Sequence, residues 1–350
     1  MKKKVIVLVA APNIIGGITS FFNTAKKYYD NNIEYVIRGP RNNKQVKNKI
    51  VEFNRLFYDL VIFIFKIINP NVKIVHINTS LGKRGVPRDL TFIYLAKLLN
   101  KSTIVFFHGW NRGIEKEIDN GQFDLFKKYI SKIDVAITLS NRSRKKLRKW
   151  GFNNTIYNET TLIDDKEIKD WSEPNIKDKM NEIKNRENLE FLFLARMIKE
   201  KGIYEAIDIF KMLSERYSNT NFNIAGDGPE LENVKNYIEK ERVKNVKFYG
   251  YVTGNDKIDL LKKSHILLFP SYNEGMPIAV LEAMAFGLVI VTRPVGGLID
   301  FFTDDMGIMI DTFEPKIFVD NIIKLLGKDL LNISINNYQY AKEHFMHLLQ

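Results

Sequence analysis

The chain has 350 residues, enough for two domains of ordinary size, and its 45% hydrophobic and 27% charged residues describe a globular protein. It contains no cysteine, which excludes disulfides, zinc–thiolate and iron–sulfur sites and a thiol nucleophile, and fits a reducing compartment. Its formal net charge of +12 asks for an anionic partner, a class that spans nucleic acid, lipid surfaces and phosphorylated substrates.

The first residues, Met1 to Lys4 followed by an apolar run, imitate a secretory signal, but Pro12 and Gly16-Gly17 follow at once and suit a first strand and turn. A cytoplasmic protein is expected, peripheral on the inner face of the plasma membrane. Short β-branched runs at 5–10, 35–38, 74–78, 103–107 and 135–140 alternate with helical patterns, which predicts parallel strands joined by helical crossovers. The apolar stretch 56–68 contains Asp59 and Lys66, is too short to cross a bilayer and predicts a buried helix.

Between 142 and 149 six basic residues stand without an acid, and Leu147 and Trp150 share a helical face at three-residue spacing. A solvated face and a contact with an anionic membrane are both open readings, the second resting on Arg144, Lys145, Arg148 and Trp150. Residues 158–188 are polar and aperiodic, so the domain boundary is expected there: 1–165 as the first domain, 166–187 as linker, 188–334 as the second domain, and 335–350 as a terminal helix returning to the first. A second strand series runs through 191–195, 222–225, 246–249, 266–269 and 289–292. The fold class is therefore α/β, two doubly wound Rossmann-like domains, with ligands expected beyond the carboxyl ends of the strands.

The stretch from Ser271 to Gly287 reads as strand end, glycine loop and short helix, with Pro277 in the first turn and Gly287 just past the end. Glu282 is the one charge in an otherwise apolar helix, so it is buried and needs donors: sugar hydroxyls, or a Lys or Arg partner. Glu274 lies in the preceding loop, and the free N–H groups around Gly275 favour an anionic or hydroxyl-rich ligand. Arg196 follows a predicted strand at its carboxyl end, where a cation would steady a leaving diphosphate. No D-x-D pair is placed for a metal-bridged diphosphate, and Asp164-Asp165 and Asp304-Asp305 read as loop acids. Gly16-Gly17 permits close backbone approach at a βα turn but is not the G-x-G-x-x-G dinucleotide fingerprint, which disfavours hydride transfer. His108 follows a predicted strand and opens toward ligand space; Asn78, on the strand before it, shares that floor.

Glu274-Gly275-Met276-Pro277 with Glu282-Ala283-Met284-Ala285-Phe286-Gly287, joined by Gly16-Gly17, His108-Gly109, Ser140, Gly226-Asp227-Gly228-Pro229-Glu230 and Gly296-Gly297, resembles the E-x7-E pattern of retaining glycosyltransferases of family four. The resemblance runs over most of the chain and implies the GT-B architecture of two Rossmann-like domains facing a cleft. It implies that Glu282 binds the nucleotide ribose and Glu274 the donor sugar, assisted by the backbone of Gly275, Met276 and Ile278. Arg196 and Lys201 would hold the diphosphate with Gly16 and Gly17, His108 would orient the sugar, and Gly226, Tyr251 and Val252 would lie near the base. Trp110 and Asn78 join the acceptor side.

The expected reaction transfers a sugar with retention from a nucleotide diphosphate sugar to a lipid-linked or glycan acceptor, in bacterial surface polysaccharide assembly. No metal or other cofactor and no nucleic acid is expected. A nucleotide-sugar epimerase of the same architecture and a basic membrane- or nucleic-acid-binding module are the alternatives. The sequence departs from the family pattern in lacking a proline after Gly287.

Overall fold

Runs rich in Val, Ile, Leu and Phe build the strands, and the central strands bury residues on both faces because helices cover both sides of a parallel sheet. The computed structural model describes residues 3–14, 16–29, 32–41, 48–83, 85–183 and 188–346. They form two compact units, Met1–Leu162 with Glu274–Met276, and Ile163–Asn273 with Pro277–Gln350.

In the first unit the order is β1 (Lys4–Val9), α1 (Gly17–Ala25), β2 (Ile33–Ile37), α2 (Lys49–Ile67), β3 (Val72–Leu81), α3 (Gly85–Leu98), β4 (Ser102–Trp110), α4 (Arg112–Asp119), α5 (Asp124–Ile130), β5 (Val135–Thr138), α6 (Asn141–Lys149) and β6 (Thr155–Asn158). The six strands are parallel in the order β2-β1-β3-β4-β5-β6, so strand order reverses between β1 and β3. Ligands of doubly wound sheets settle beyond the carboxyl ends at such a reversal.

The second unit continues with α7 (Glu173–Asn181), β7 (Leu189–Leu194), α8 (Ile203–Arg216), β8 (Thr220–Ala225), α9 (Leu231–Lys240), β9 (Val246–Gly250), α10 (Gly254–Lys263), β10 (Ile266–Phe269), α11 (Ile278–Ala285), β11 (Val289–Thr292), β12 (Gly307–Met309), α12 (Pro315–Leu325) and α13 (Leu330–His344). Its parallel sheet runs β12-β11-β10-β7-β8-β9, and the reversal falls between β7 and β10.

Several expectations need correction. Strands β6 and β12 lie at sheet edges and are too short to give a period in the sequence. The stretch expected as a linker carries α7, whose Lys179 is buried and donates to the carbonyls of Ser264 at 3.0 Å and Phe286 at 2.8 Å. A polar segment thus joins the second unit through one long side chain that satisfies two helix-end carbonyls. The terminal helix, α13, packs on α11 and α7 of that same unit; Asn337 Nδ2 donates to Leu288 and Met306, both at 2.8 Å. Residues 347–350 lie outside the described residues.

The apolar stretch 56–68 belongs to a longer helix, α2, and only one side of it is buried. Phe63 and Ile67 are fully enclosed with Leu56 and Leu60 beside them, whereas Phe53, Phe57 and Phe65 face solvent. Gly287 adopts the left-handed conformation at φ +70°, as the residue past a helix end does, and a Cβ there would meet Ile176 of α7 at 2.9 Å.

Candidate active site

In the first unit, α1 starts on bare glycine. Gly16 is its N-cap and Gly17 its first residue, both are exposed, and a Cβ on either would meet nothing within 4 Å. Their backbone is therefore open to a ligand at the amino end of the helix.

His108 lies inside β4 rather than after it, because the strand pairs with β3 as far as Trp110. Its ring sits among Phe21, Phe22 and Phe106, and its Nε2 is 2.9 Å from Asn78 Oδ1. Asn78 spends its amide N–H on the carbonyl of Leu8 at 3.0 Å, so its oxygen must accept and His108 Nε2 must carry the proton. Burial, with the neighbouring His76 next, pushes the His108 pKa down to about 3. At neutral pH the ring is uncharged, with Nδ1 a lone-pair acceptor. Asn78, assigned from sequence to the acceptor side, is 1% exposed and orients the His108 ring through this bond.

The segment Glu274–Met276 groups with the first unit. Met276 packs with Val7, Phe21 and Phe106, and a Cβ on Gly275 would stand 2.1 Å from the His108 carbonyl oxygen. Only glycine lets the two backbones approach so closely. Glu274, the residue before this close approach, is half-buried.

Beyond β1 and β3, a cavity of about 470 Å³ is lined by Ile18, Arg38, Asn78, Ser80, Lys83 and Arg88 among others. Arg38 Nη1 and Arg88 Nε pair with the buried Asp89 at 3.3 and 3.0 Å, and Lys83 pairs with Glu117 at 2.8 Å. Three cations against two carboxylates leave the wall positive. This feature was missed from sequence because its residues come from three separate strand–helix connections.

In the second unit, Glu282 projects from α11 onto Lys257 of α10, whose Nζ donates to Glu282 Oε1 at 2.7 Å and lies 2.8 Å from Glu167. The carboxylate anticipated as buried thus has a lysine partner, with one oxygen left for a ligand. Burial raises the Glu282 pKa, and Lys257 opposes that shift without cancelling it. Burial would lower Lys257, but the two carboxylates reverse this and hold it above its ordinary value. The sequence offered no signal for Lys257, which is 25 residues from Glu282 on a different helix.

Arg196 is exposed just past β7, and Lys201 closes the turn Lys199–Lys201. That turn is stitched to the loop after β10: Tyr272 N–H and Ser271 Oγ donate to the Glu200 carbonyl at 2.9 and 3.2 Å. Gly202 seals it at φ +74°, where a Cβ would meet the Pro270 carbonyl at 2.3 Å. The basic pair therefore stands at the carboxyl ends of the two strands flanking the reversal. Ile278 is the first residue of α11, behind the N-cap Pro277, which has no N–H to offer.

Of the residues expected near a base, Tyr251 is exposed, whereas Val252 is 8% exposed and packs with Ala225 and Leu260. Val252 is a core residue. Gly226, at φ +143°, is required by the backbone, since a Cβ would lie 1.8 Å from the Ala195 carbonyl.

The aromatic part of the basic-helix reading is also corrected. Leu147 is fully buried, and Trp150 stacks on Trp110 at 5.7 Å with 2° between the rings. Trp110 donates to Glu115 at 2.6 Å and Trp150 to Asp119 at 3.0 Å. Arg142 and Lys146 pair with Glu115, Lys146 and Lys149 with Asp119, and Arg148 bonds the carbonyls of Phe152 and Asn154. Bonds from Lys146 and then Trp150 hold the Asp119 pKa down to about 2. The helix turns Leu147 inward and leaves Trp150 half-buried, with Arg144 and Lys145 exposed.

Residues 175–343 match the family Glycosyl transferases group 1. The match spans α7 to α13 and so takes in Arg196, Lys201, Lys257, Glu274 and Glu282. An uncharacterized glycosyltransferase of Methanocaldococcus jannaschii is 24% identical over 191 residues, 51% of this chain and 53% of that protein. The chain thus spans about half the length of this curated relative. Among solved structures, sucrose-phosphate synthase of Thermosynechococcus elongatus superposes with a TM-score of 0.73 at 14% identity, covering 98% of this chain and 95% of that one. Anabaena HepE, solved with UDP and glucose, gives 0.70 at 14%, covering 98% and 96%. The fold is GT-B, two Rossmann-like parallel-sheet domains.

Proposed function

We propose that this chain is a retaining, metal-independent glycosyltransferase that moves a sugar from a nucleotide diphosphate sugar to a hydroxyl of a glycan or lipid-linked glycan, as in surface polysaccharide assembly. The observation that carries the reading is the Lys257-held Glu282 on α11, within the stretch that matches the group 1 family. HepE, of the same fold, was solved with UDP and glucose, which supports a nucleotide-sugar donor.

In this reading the second oxygen of Glu282 receives the ribose hydroxyls, and Glu274 receives the donor sugar. Arg196 and Lys201 meet the diphosphate as it gains charge on departure, a role for which fixed cations are effective. The open backbone of Gly16 and Gly17 adds N–H donors. His108, uncharged and oriented by Asn78, accepts a hydrogen bond from a sugar hydroxyl through Nδ1. An acceptor hydroxyl entering by the cavity of the first unit attacks from the face the diphosphate leaves, its proton passing to the departing phosphate oxygen, which retains configuration. The positive wall of Arg38, Lys83 and Arg88 favours an acceptor bearing phosphate or carboxylate.

Nucleoside diphosphate release from UDP-, GDP- and ADP-sugars, with and without chelator, tests the reading. Release that resists chelator, and that falls by about 10²-fold or more in Arg196→Ala and Glu282→Ala, is the expected result. No turnover of any sugar nucleotide with glycan or lipid-linked acceptors would overturn it.

A further inference from the structure

Helix α2 is covered on one side only, yet its uncovered side is also largely apolar. Its inner stripe, Leu56, Leu60, Phe63 and Ile67, joins the core of the first unit. Its outer stripe, Ile50, Phe53, Phe57, Tyr58, Phe65 and Ile68, recurs at helical spacing and is between 58% and 77% exposed. Phe63 packs edge-on against Phe92 of α3 at 5.0 Å, so the two helices lie side by side. Soluble surfaces rarely leave so many large apolar side chains contiguous and uncovered.

No acidic or basic residue stands on the outer stripe itself. Asp59 of α2 is 2% exposed and turned inward, accepting from Gly39 N–H at 2.7 Å. Glu34 and Asp134 are taken up by Lys66 and Lys97. Arg55 and Lys66 come next round the helix from the stripe, both half-buried, with Glu52 beyond them toward the core side. An apolar, aromatic-rich face with basic residues at its margin is complementary to an anionic bilayer, in which apolar side chains enter the acyl boundary and lysines meet headgroup phosphates. A second copy fits worse, because two chains of net charge +12 would press basic-edged faces together. Spanning is not at issue: among the described residues no helix is long and apolar enough to cross a membrane, and the inner stripe ties α2 to the core.

We propose that the outer face of α2 docks this protein in the plane of an anionic lipid surface. At about 28 Å the helix is long enough to act as a keel lying along the interface. The inference rests in part on the proposed function, since a lipid-linked acceptor would be presented at such a surface. It also relocates the membrane contact away from α6, whose Leu147 is buried.

The test is flotation of the full chain with vesicles of phosphatidylcholine alone and of phosphatidylcholine mixed with phosphatidylglycerol. The variants are the triple Phe53→Ser, Phe57→Ser, Phe65→Ser and the double Arg144→Gln, Lys145→Gln. The wild type and the double variant should float with the anionic vesicles, and the triple variant should partition about tenfold or more weaker. Because the three phenylalanines are exposed, the triple variant should keep its circular dichroism and its release of nucleoside diphosphate with water-soluble acceptors. Failure of the wild type to float, flotation of the triple variant undiminished, or a wild-type dimer that the triple variant dissolves would each overturn the proposal. Loss of sugar-nucleotide turnover with flotation intact would instead sink the catalytic reading and leave the docking face standing.

Discussion

At the scale of single residues, Glu282 and Lys257 show what a sequence can and cannot disclose. A lone carboxylate in an apolar helix had to be buried and had to have a partner, and both followed from helix periodicity and the cost of burying charge. Which residue partners it did not follow, because the pairing is made by α10 lying beside α11. His108 is similar: its place near a strand end was legible, but its protonation is fixed by Asn78, whose own N–H is spent on Leu8. The Lys257 pair gives a prediction. Lys257→Met leaves Glu282 and Glu167 facing each other without a cation and should cost about 2 kcal/mol or more at neutral pH. With its folded pKa already raised by burial, Glu282 favours folding while protonated and disfavours it as pH rises. Removing the lysine enlarges that slope, so the deficit relative to wild type should shrink at mildly acidic pH and grow at alkaline pH. Urea unfolding at several pH values checks this; a pH-independent deficit would rule out the carboxylate as its source.

At the scale of elements, patterning identified the alternating strands and the glycine-ended helix but misjudged how elements are covered. Leu147 and Trp150 do share one face of α6, as their spacing requires, yet that face turns inward and the stretch gives no sign of which way. Helix α2 erred the other way: the apolar stretch 56–68 reads as a buried helix, and its outer stripe is not buried. The polar stretch before β7 looked like a linker because α7 buries only Ile176, Lys179 and Met180. Lys179 makes that attachment measurable. Burial lowers its pKa from 10.5 to about 7 in the folded chain, so between those values the unfolded chain holds a proton that the folded chain has released. Stability should therefore rise with pH across that window on account of this group. Lys179→Met should flatten the rise seen in wild-type melting temperature, and an unchanged slope would show that Lys179 does not titrate there.

At the scale of the whole molecule, two parallel sheets of six strands were legible from alternating β-branched and helical segments, apart from the short edge strands. Both reversal points were open to inference, since Gly16-Gly17 and Arg196 each follow a strand that turned out to flank one. The surplus positive charge was a weaker guide. Six basic residues in one helix drew the eye to α6, where four of them are occupied by acids or carbonyls, while the cation-lined cavity and the margin of α2 were dispersed along the chain.

The three tryptophans are divided between the units: Trp110 and Trp150 in the first, Trp171 in the second. The first two lie parallel and in contact, whereas Trp171 stands alone beside Phe286 with the Lys179 and Lys262 ammonium groups over its ring. Two indoles so placed couple their electronic transitions, giving a bisignate ultraviolet dichroism that an isolated indole lacks. The chain carries in effect a built-in optical tag for each half. As denaturant is raised, loss of the couplet times the melting of the first unit, and the emission of Trp171 in a Trp110→Phe, Trp150→Phe background times the second. Coincident transitions would make the molecule one cooperative body, and separated ones would make it two.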